Sequence, residues 1–338
     1  MKRVLILSLM VALVLMVIAP VPVMAKPFMA KLDRWHVPND FPTIQEAIDS
    51  TKVQDGDTIV VEPGAYAGAE VTKAVTIFGR GGAVINSGPL PWPGVRPFMA
   101  GFLFPGGDDD GSGATITHFQ FEDVEFPVFS RGASNVTITH CTMTGSIQGI
   151  SNWHGDGWRI SYNTFNGLAT ACGGGIGIFI GCCYGGTASN NMVTHNSITG
   201  QIAVPGDDCG GYNGSGICLM SDRRWGAAGG ELAENCILLN RVALSSSNPG
   251  LVESVGIELT DMGLELNTLD NGTAPDLTGN SVAFNNLRGM EGEPIALNPE
   301  EVSDNNIIFH NMGADSHWDH GLFHPGDLMR QHQQPKPF

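Results

Sequence analysis

The residues best suited to chemistry lie in the segment 221–225, which reads Ser-Asp-Arg-Arg-Trp. An arginine pair can bind acidic groups through bidentate hydrogen bonds, and an indole face can stack on a sugar ring. The segments 152–156 and 260–261 carry similar side chains. The candidate catalytic residues are Asp222, Arg223 and Arg224, and the candidate binding residues are Trp153, His154, Asp156, Trp225 and Asp261. The alternative is that these are ordinary loop residues, with Arg224 paired to Asp222.

A sequence repeat predicts the scaffold that would bring these segments together. The pattern apolar-x-x-Asn-x-apolar recurs through the second half of the chain and extends backward in degenerate form. Its fourth position is occupied in turn by Phe119, Cys141, Asn163, Asn196, Asn240, Asn285 and His310. The intervals are 22, 22, 33, 44, 45 and 25 residues. A unit near 22 residues with loop insertions is typical of the coil of a solenoid.

Each unit also contains a second strand, in which Ile and Leu alternate with polar or small residues, as in 216–219 and 256–259. This period predicts a strand with one buried face. Stacked Asn amides can bond to the backbone and to the Asn one coil away, which predicts a structural role. The two Asn columns are Asn163, Asn196, Asn240 and Asn285, and Asn191, Asn235, Asn280 and Asn305. Adjacent coils repeat at about 4.8 Å, so we expect the candidate loops to lie about 10 Å apart or less.

The N-terminal part, 36–88, has a different pattern. The residues 43–46 form a capping box that opens a short helix, and Ile44, Ala47 and Ile48 form its apolar stripe. Strands are predicted at 58–61 and 75–78. We expect the helix to cover the open end of the solenoid, whose exposed strand edges otherwise invite aggregation.

The segment 37–88, which begins VPNDFPTIQEAID and continues through DGDTIVVEPGAYAG to AVINSG, resembles the opening of secreted right-handed parallel β-helix proteins. These form the pectin-lyase-like superfamily, which includes pectinesterases, polysaccharide lyases and NosD-like periplasmic proteins. The Asn-bearing coils are similar to the parallel β-helix repeats of that superfamily. The resemblance covers roughly 37–312 and implies the fold. It does not fix the activity, because one fold supports many functions.

The catalytic motifs of the superfamily are largely missing. The chain resembles pectinesterases at 63–66, yet lacks their paired catalytic aspartates. Asp207 and Asp208 resemble the Gly-Asp-Asp motif of polygalacturonases, whose other motifs are absent; we keep both as candidate substrate-binding residues. Lyases of this superfamily often use Arg or Lys as the base beside a uronate carboxylate, a role the resemblance implies for Arg223 or Arg224.

The acidic composition of the chain limits the kinds of molecule that it is expected to bind. The chain carries 17 Lys and Arg against 34 Asp and Glu, a formal charge of −17, which disfavours nucleic acid and anionic membrane surfaces. The residues 1–25 read as a signal peptide with cleavage after Ala25, so we expect export and no membrane insertion afterwards. An uncleaved anchor is the alternative. The predicted location is secreted, periplasmic or cell-surface.

The seven cysteines are an odd number, so at least one is expected to stay free or to pair between chains. Cys209 and Cys218 flank a Gly-rich loop and are a candidate local bridge, while Cys172 could close onto Cys182 or Cys183. No Cys-x-x-Cys pair exists, which argues against zinc-ribbon and thioredoxin-like sites.

Metal binding is a weaker hypothesis. Calcium is the candidate ion for 108–110, three consecutive aspartates, although their pattern does not match an EF-hand. A second candidate is the tail, with His317, His320 and His324 beside Asp315 and Asp319. A third is a column of one ring per coil, which we interpret as a semi-buried packing position. Its members are His118, His140, Tyr162 and His195, continued by Leu239, Phe284 and Phe309.

We therefore predict an all-β protein, a right-handed parallel β-helix with a short N-terminal capping helix. The expected organisation is a signal peptide at 1–25, a β-helix domain at 26–312 and a flexible tail at 313–338. Within the domain, 36–88 form the cap and first coils and 114–312 the repeat coils. The leading hypothesis is a protein that binds or acts on a polysaccharide or cell-surface glycan, with uronate lyase chemistry as one form. The alternative is a non-catalytic surface or envelope β-helix.

Overall fold

Three long parallel sheets form the body of the protein, and the chain visits them in the order A, B, C in successive coils. The computed structural model describes residues 32–91, 98–107, 110–171, 174–210, 212–222, 230–262, 276–298, 302 and 305–314. The described residues from Asp33 onward belong to one compact unit. This is the parallel β-helix that the 22-residue repeat predicted.

The strands of the three sheets are as follows, in spatial order along the stack. Sheet A contains Arg34–Val37, Thr58–Val61, Thr76–Gly79, Thr115–Thr117, Thr137–Thr139, Arg159–Ser161, Met192–Thr194, Cys236–Leu238, Ser281–Ala283 and Ile307–Phe309. Sheet B contains Gly64–Ala67, Ala83–Ser87, Gln120–Phe121, Thr142–Ser146, Thr164–Ala169, Ser197–Ala203 and Arg241–Ser246. Sheet C contains Ala69–Glu70, Ala100–Phe104, Phe126–Arg131, Gln148–Trp153, Ile176–Cys183, Gly214–Asp222, Ser254–Asp261 and Glu293–Asn298. A two-stranded sheet pairs Leu232–Ala233 with Leu277–Thr278.

The core is built from columns of identical side-chain type, because parallel strands in register place equivalent residues one above another. In sheet C, Ile150 aligns with Ile178, which aligns with Ile217. In sheet A, Ile116, Ile138 and Ile160 form a second buried column. Each coil therefore buries its own apolar side chains only when the next coil is present, since a single coil has no second layer.

In the later coils, the turns on the two sides of sheet A each use a left-handed residue followed by Asn. Asn240 is typical: its Nδ2 donates to Asn285 Oδ1 at 3.0 Å and to the Val193 carbonyl at 2.9 Å. Its Oδ1 accepts from the backbone N–H and the Nδ2 of Asn196, both at 3.0 Å. The predicted structural role of the Asn columns is confirmed.

The close stacking also explains why glycine recurs at the start of the strands in sheet C. A Cβ atom at Gly216 would lie 2.4 Å from Val242 Cγ1 and 2.6 Å from the Gly256 carbonyl oxygen. These distances are too short for any side chain. The members of this glycine column are Gly101, Gly149, Gly177, Gly216 and Gly256.

The capping helix spans Ile44–Asp49 and starts as predicted. Thr43 Oγ1 accepts from the Glu46 N–H at 3.1 Å, and Ile44, Ala47 and Ile48 are fully buried in the core. Within the described ranges, no helix is long and apolar enough to cross a membrane. The predicted signal peptide lies outside the described residues and stays a prediction.

The register predicted for the last coil is wrong by one residue. Asn311, not His310, continues the first Asn column, because Asn285 donates to Asn311 Oδ1. Asn306, not Asn305, continues the second. Ile307 and Ile308 are both apolar, so the pattern fits either frame, and only the hydrogen bonds choose between them.

The predicted disulfides are also wrong. Cys218 is a free and fully buried thiol, so it does not pair with Cys209, which is itself disulfide-bonded. Cys182 and Cys183 are free and buried as well, which removes both proposed bridges to Cys172. The positions of Cys209 and Cys218 on either side of a loop did not predict a disulfide correctly, because Cys218 lies in the middle of the buried strand Gly214–Asp222.

Candidate functional site

The predicted site residues lie mostly where sheet C turns into sheet A, an edge we call the C–A corner. Trp153 aligns with Gly181, then Met220, then Thr260 on successive coils. Asp222 aligns with Cys183, two positions further along each strand. The segments at 221–225 and 260–261 therefore begin on adjacent coils, and the segment at 152–156 begins two coils before 221–225.

The carboxylates predicted at this corner face the protein. Asp222 is 1% exposed and Asp261 is fully buried. Asp261 Oδ2 accepts from the Asp276 N–H at 3.1 Å. Asp156 joins two coils, because its carboxylate accepts from the Ser189 N–H at 2.6 Å and from Thr187 Oγ1 at 3.0 Å. The structure gives these three residues protein partners.

Trp153 and His154 are half-buried at the same corner. The Trp153 ring packs on Phe179 with centroids 4.5 Å apart, and it contacts two apolar clusters on sheet C. Most of its face is thus used in packing. Arg223, Arg224 and Trp225 lie outside the described residues, as do Asp108, Asp109 and the histidines of the tail.

Asp207 and Asp208 belong to a different edge. They precede the strand Gly214–Asp222, whose nine residues span about 26 Å, and so lie at the opposite side of sheet C from Asp222. Asp208 accepts from Thr170 Oγ1 at 2.7 Å and from the Gly210 N–H at 2.8 Å. These two aspartates therefore do not share a groove with the C–A corner.

One pair at the corner was missed by sequence reasoning. Cys183 Sγ lies 3.4 Å from His154 Nε2. Burial raises the pKa of the Cys183 thiol, with a further contribution from Asp222, and burial lowers the pKa of His154. Both groups are therefore favoured in their neutral forms, which disfavours a thiolate nucleophile. The sequence feature that could have indicated this pair is Cys182–Cys183, which lies between His154 and Asp222 when the coils are aligned.

Glu258 on sheet C is a second missed residue. Its carboxylate accepts from Ser215 Oγ, from Asn213 Nδ2 at 3.2 Å and from Asn298 Nδ2 at 3.4 Å. Burial, with a contribution from Glu258, raises the pKa of the neighbouring Cys218 thiol. Among the residues described, no group of three or more His, Cys, Asp or Glu side chains could hold a metal ion. Calcium binding at 108–110 stays a prediction.

The outer face of sheet A has a different character from the rest of this acidic chain. None of its ten described strands contains Asp or Glu, although the chain has 34 of them. Hydroxyl and cationic side chains occupy the outward positions of the first seven strands together with a few apolar ones. These positions are Arg34, His36, Thr58, Val60, Thr76, Phe78, Thr115, Thr117, Thr137, Thr139, Arg159, Ser161, Met192 and Thr194.

A groove of about 390 Å³ lies at the N-terminal end of this face. Its walls are Arg34, His36 and Arg80, and its floor is formed by Thr58, Val60, Thr76 and Phe78. Arg34 is exposed, and no described acidic side chain forms an ion pair with it.

A single carboxylate, Glu62, serves the other two basic residues of the groove. Glu62 accepts from Arg80 Nη1 at 3.0 Å and contacts His36 Nδ1 at 2.9 Å. These hydrogen bonds lower the pKa of Glu62, so it stays ionised at neutral pH. The groove combines two guanidinium groups, hydroxyls and one aromatic ring.

The ring column predicted as semi-buried packing is instead exposed. Tyr162 is 53% exposed, and His118, His140 and His195 are exposed as well. The rings stack on one another at the turn from sheet A to sheet B. The last member is His310 rather than Phe309, because His310 has the left-handed φ that its equivalents share.

Comparisons of the chain with protein-family models, with curated proteins and with solved structures gave no match.

Proposed function

We propose that the protein is exported and binds an acidic, uronate-type polysaccharide on the outer face of sheet A. The observation that carries the proposal is the groove lined by Arg34, His36 and Arg80 on a sheet whose described strands contain no Asp or Glu. Glu62 is the carboxylate at the groove, and it is paired with Arg80 and His36. In a chain of charge −17, the exposed guanidinium group of Arg34, on a face whose described strands contain no Asp or Glu, offers a local site for anions.

The lining suits a sugar acid better than a small inorganic anion. Guanidinium groups bind carboxylates through paired hydrogen bonds. Thr58 and Thr76 add hydroxyls on the floor, which can exchange hydrogen bonds with sugar hydroxyls. Phe78 supplies an apolar ring, the usual partner of the carbon face of a sugar. A volume of about 390 Å³ accommodates one or two sugar rings.

The groove lies apart from the C–A corner, so binding and cleavage are separate proposals. A β-elimination lyase would need a base beside the uronate carboxylate, the role that the superfamily resemblance implies for Arg223 or Arg224. A protein that binds without cleaving matches the alternative of a non-catalytic surface β-helix. The same titration samples, followed by absorbance of unsaturated uronate ends, separate these two cases.

Isothermal titration calorimetry with α-1,4-linked oligogalacturonates tests the binding. We expect the mature chain, 26–338, to bind the dimer, and Arg34→Ala to weaken binding about tenfold, because one charge-assisted hydrogen bond is lost. Raising the salt concentration should weaken binding further, since exposed ion pairs are screened.

The matched control is Arg288→Ala, which removes the same charge from an exposed position outside the groove. It should leave the affinity unchanged. Equal binding of a neutral maltose dimer, or unchanged binding by Arg34→Ala with Arg80→Ala, would overturn the proposal.

A further inference from the structure

The exposed rings next to the groove form a continuous column along the solenoid axis. His118 and His140 have ring centroids 4.8 Å apart with planes 6° from parallel. His140 and Tyr162 follow at 5.3 Å, and Tyr162 and His195 at 5.0 Å. Each of these residues has a left-handed φ between 54° and 63°, so the turn itself sets the direction of its ring.

The column starts at the groove. Phe78, on the groove floor, lies 4.9 Å from the His118 ring. Because neighbouring rings cover one another's faces, the column presents ring edges to solvent, and these edges carry the imidazole nitrogens. Thr117 Oγ1 lies 2.6 Å from His118 Nδ1, and Thr139 Oγ1 lies 2.9 Å from His140 Nδ1. In these two rings the threonine engages Nδ1, which leaves Nε2 as the nitrogen available to a ligand.

We propose that His118, His140 and His195 extend the groove into a track that binds successive carboxylates of an acidic polysaccharide, and that this extension forms when the imidazoles are protonated. The inference rests on the proposed function and adds to it the direction of the chain, its minimum length and a dependence on pH. The polymer runs parallel to the solenoid axis, from Arg34 and Arg80 towards His195.

The spacing supports this direction. Coils stack at about 4.8 Å, which is comparable to the length that one sugar ring adds to an extended polysaccharide. The sugar chain therefore advances at the same rate as the coils, so the carboxylates that face the protein can meet rings of the column. Tyr162 interrupts the imidazoles with a hydroxyl, which can donate to a carboxylate or accept from a sugar hydroxyl.

The elements packed against the column carry both signs of charge, so the imidazolium ions themselves supply the attraction for an anion. Arg80, which follows the strand Thr76–Gly79, is paired with Glu62. Arg159 lies in sheet A and Arg241 begins a strand of sheet B, while Glu122 and Asp123 follow the strand Gln120–Phe121. Two adjacent imidazolium ions repel each other, and a bound carboxylate relieves that repulsion.

Calorimetry with α-1,4-linked oligogalacturonates of two and eight units, at pH 5.0 and 7.5, tests the track. Uronate carboxylates stay ionised at both values, because such groups titrate near pH 4 or below. We expect the affinity for the octamer to rise about tenfold or more on acidification, the effect of three exposed ion pairs. The dimer, which fills only the groove, should change much less.

The variant His118→Asn/His140→Asn/His195→Asn removes the imidazoles and keeps residues that tolerate the left-handed turn. It should remove the extra affinity of the octamer at pH 5.0 and leave dimer binding intact. His310→Asn is the matched control, because His310 has the same turn geometry but lies beyond Leu239 and Phe284. An NMR titration of the imidazole Cε1–Hε1 signals should also show the pKa values of the three histidines rising when the octamer binds.

The outcomes separate the two proposals. If neither oligomer binds at either pH, the proposed function fails and this inference fails with it. If both oligomers bind through Arg34 with the same affinity and pH dependence, the groove stands and the histidine track is wrong. If the triple histidine variant keeps the full affinity for the octamer at pH 5.0, the histidine track is also wrong and the groove stands.

Discussion

The imidazole rings of His118 and His140 lie face to face at 4.8 Å, one coil apart on the surface of the β-helix. Burial lowers the pKa of His118, with a smaller contribution from the charge of His140. The parallel register that aligns Thr117 with Thr139 imposes this contact. The same register that places neutral side chains one above another in the core therefore also places ionisable side chains in contact on the surface.

The lowered pKa of His118, caused by burial and then by the charge of His140, predicts that acid destabilises the protein. In the unfolded chain His118 titrates near its ordinary pKa of about 6.5, whereas in the folded chain its pKa is lower. The unfolded state therefore takes up the proton first as the pH falls, and the free energy of unfolding decreases from about pH 7.5 downward until folded His118 is itself protonated. Urea unfolding at a series of pH values measures this slope. His118→Asn should reduce it, and an unchanged slope would contradict the assignment.

The Asn columns predict a large loss of stability on truncation. Asn240→Ala leaves the buried backbone N–H of Asn196 without its acceptor and removes one acceptor of the Asn196 amide. It also removes the donor to the Val193 and Leu238 carbonyls. We expect the free energy of unfolding to fall by about 3 kcal/mol. Asn166→Ala, at an exposed position of sheet B, should change it by less than about 0.5 kcal/mol. Chemical denaturation of both variants makes the comparison.

The close contacts of the glycine column predict that replacing one of its glycines by alanine destabilises the protein. Gly216→Ala would place a Cβ 2.4 Å from Val242 Cγ1, and we expect a loss of about 2 kcal/mol or more from overpacking. Gly206→Ala is the matched control, because no atom lies within 4 Å of the added Cβ. It should be neutral or slightly stabilising. Equal melting temperatures for the two variants would show that the sheets are not packed this tightly.

The buried thiols of Cys141 and Cys236 are expected to react slowly in the folded protein. Burial raises the pKa of Cys141 to about 12 and that of Cys236 to about 11. Since the thiolate is the reactive form, both should resist iodoacetamide at pH 8 in the native state and react on unfolding. Mass spectrometry of peptides from native and urea-treated protein measures this difference. Rapid native labelling of Cys141 would mean that its coil opens readily.

The periodic and local features of the amino-acid sequence were sufficient to predict the architecture. The 22-residue interval, the Asn at a fixed position and the alternating Ile and Leu predicted stacked coils, and Thr43 with its apolar stripe predicted the capping helix. These features could be recognised in the sequence because they are local or strictly periodic. Where the period was ambiguous, at Ile307 and Ile308, the predicted frame slipped by one residue.

Which side chains reach the surface depends on how the coils stack, and this could not be predicted from the sequence. Asp222, Asp261 and Asp156 looked equally available in the sequence, yet each has partners from neighbouring segments. The groove joins Arg34, Thr58, Phe78 and Arg80 from three strands that are adjacent only because the coils stack. The burial and the charge environment of a surface side chain depend on residues one coil away, which are tens of residues apart in the chain. The composition of the chain does not show which residues become such neighbours.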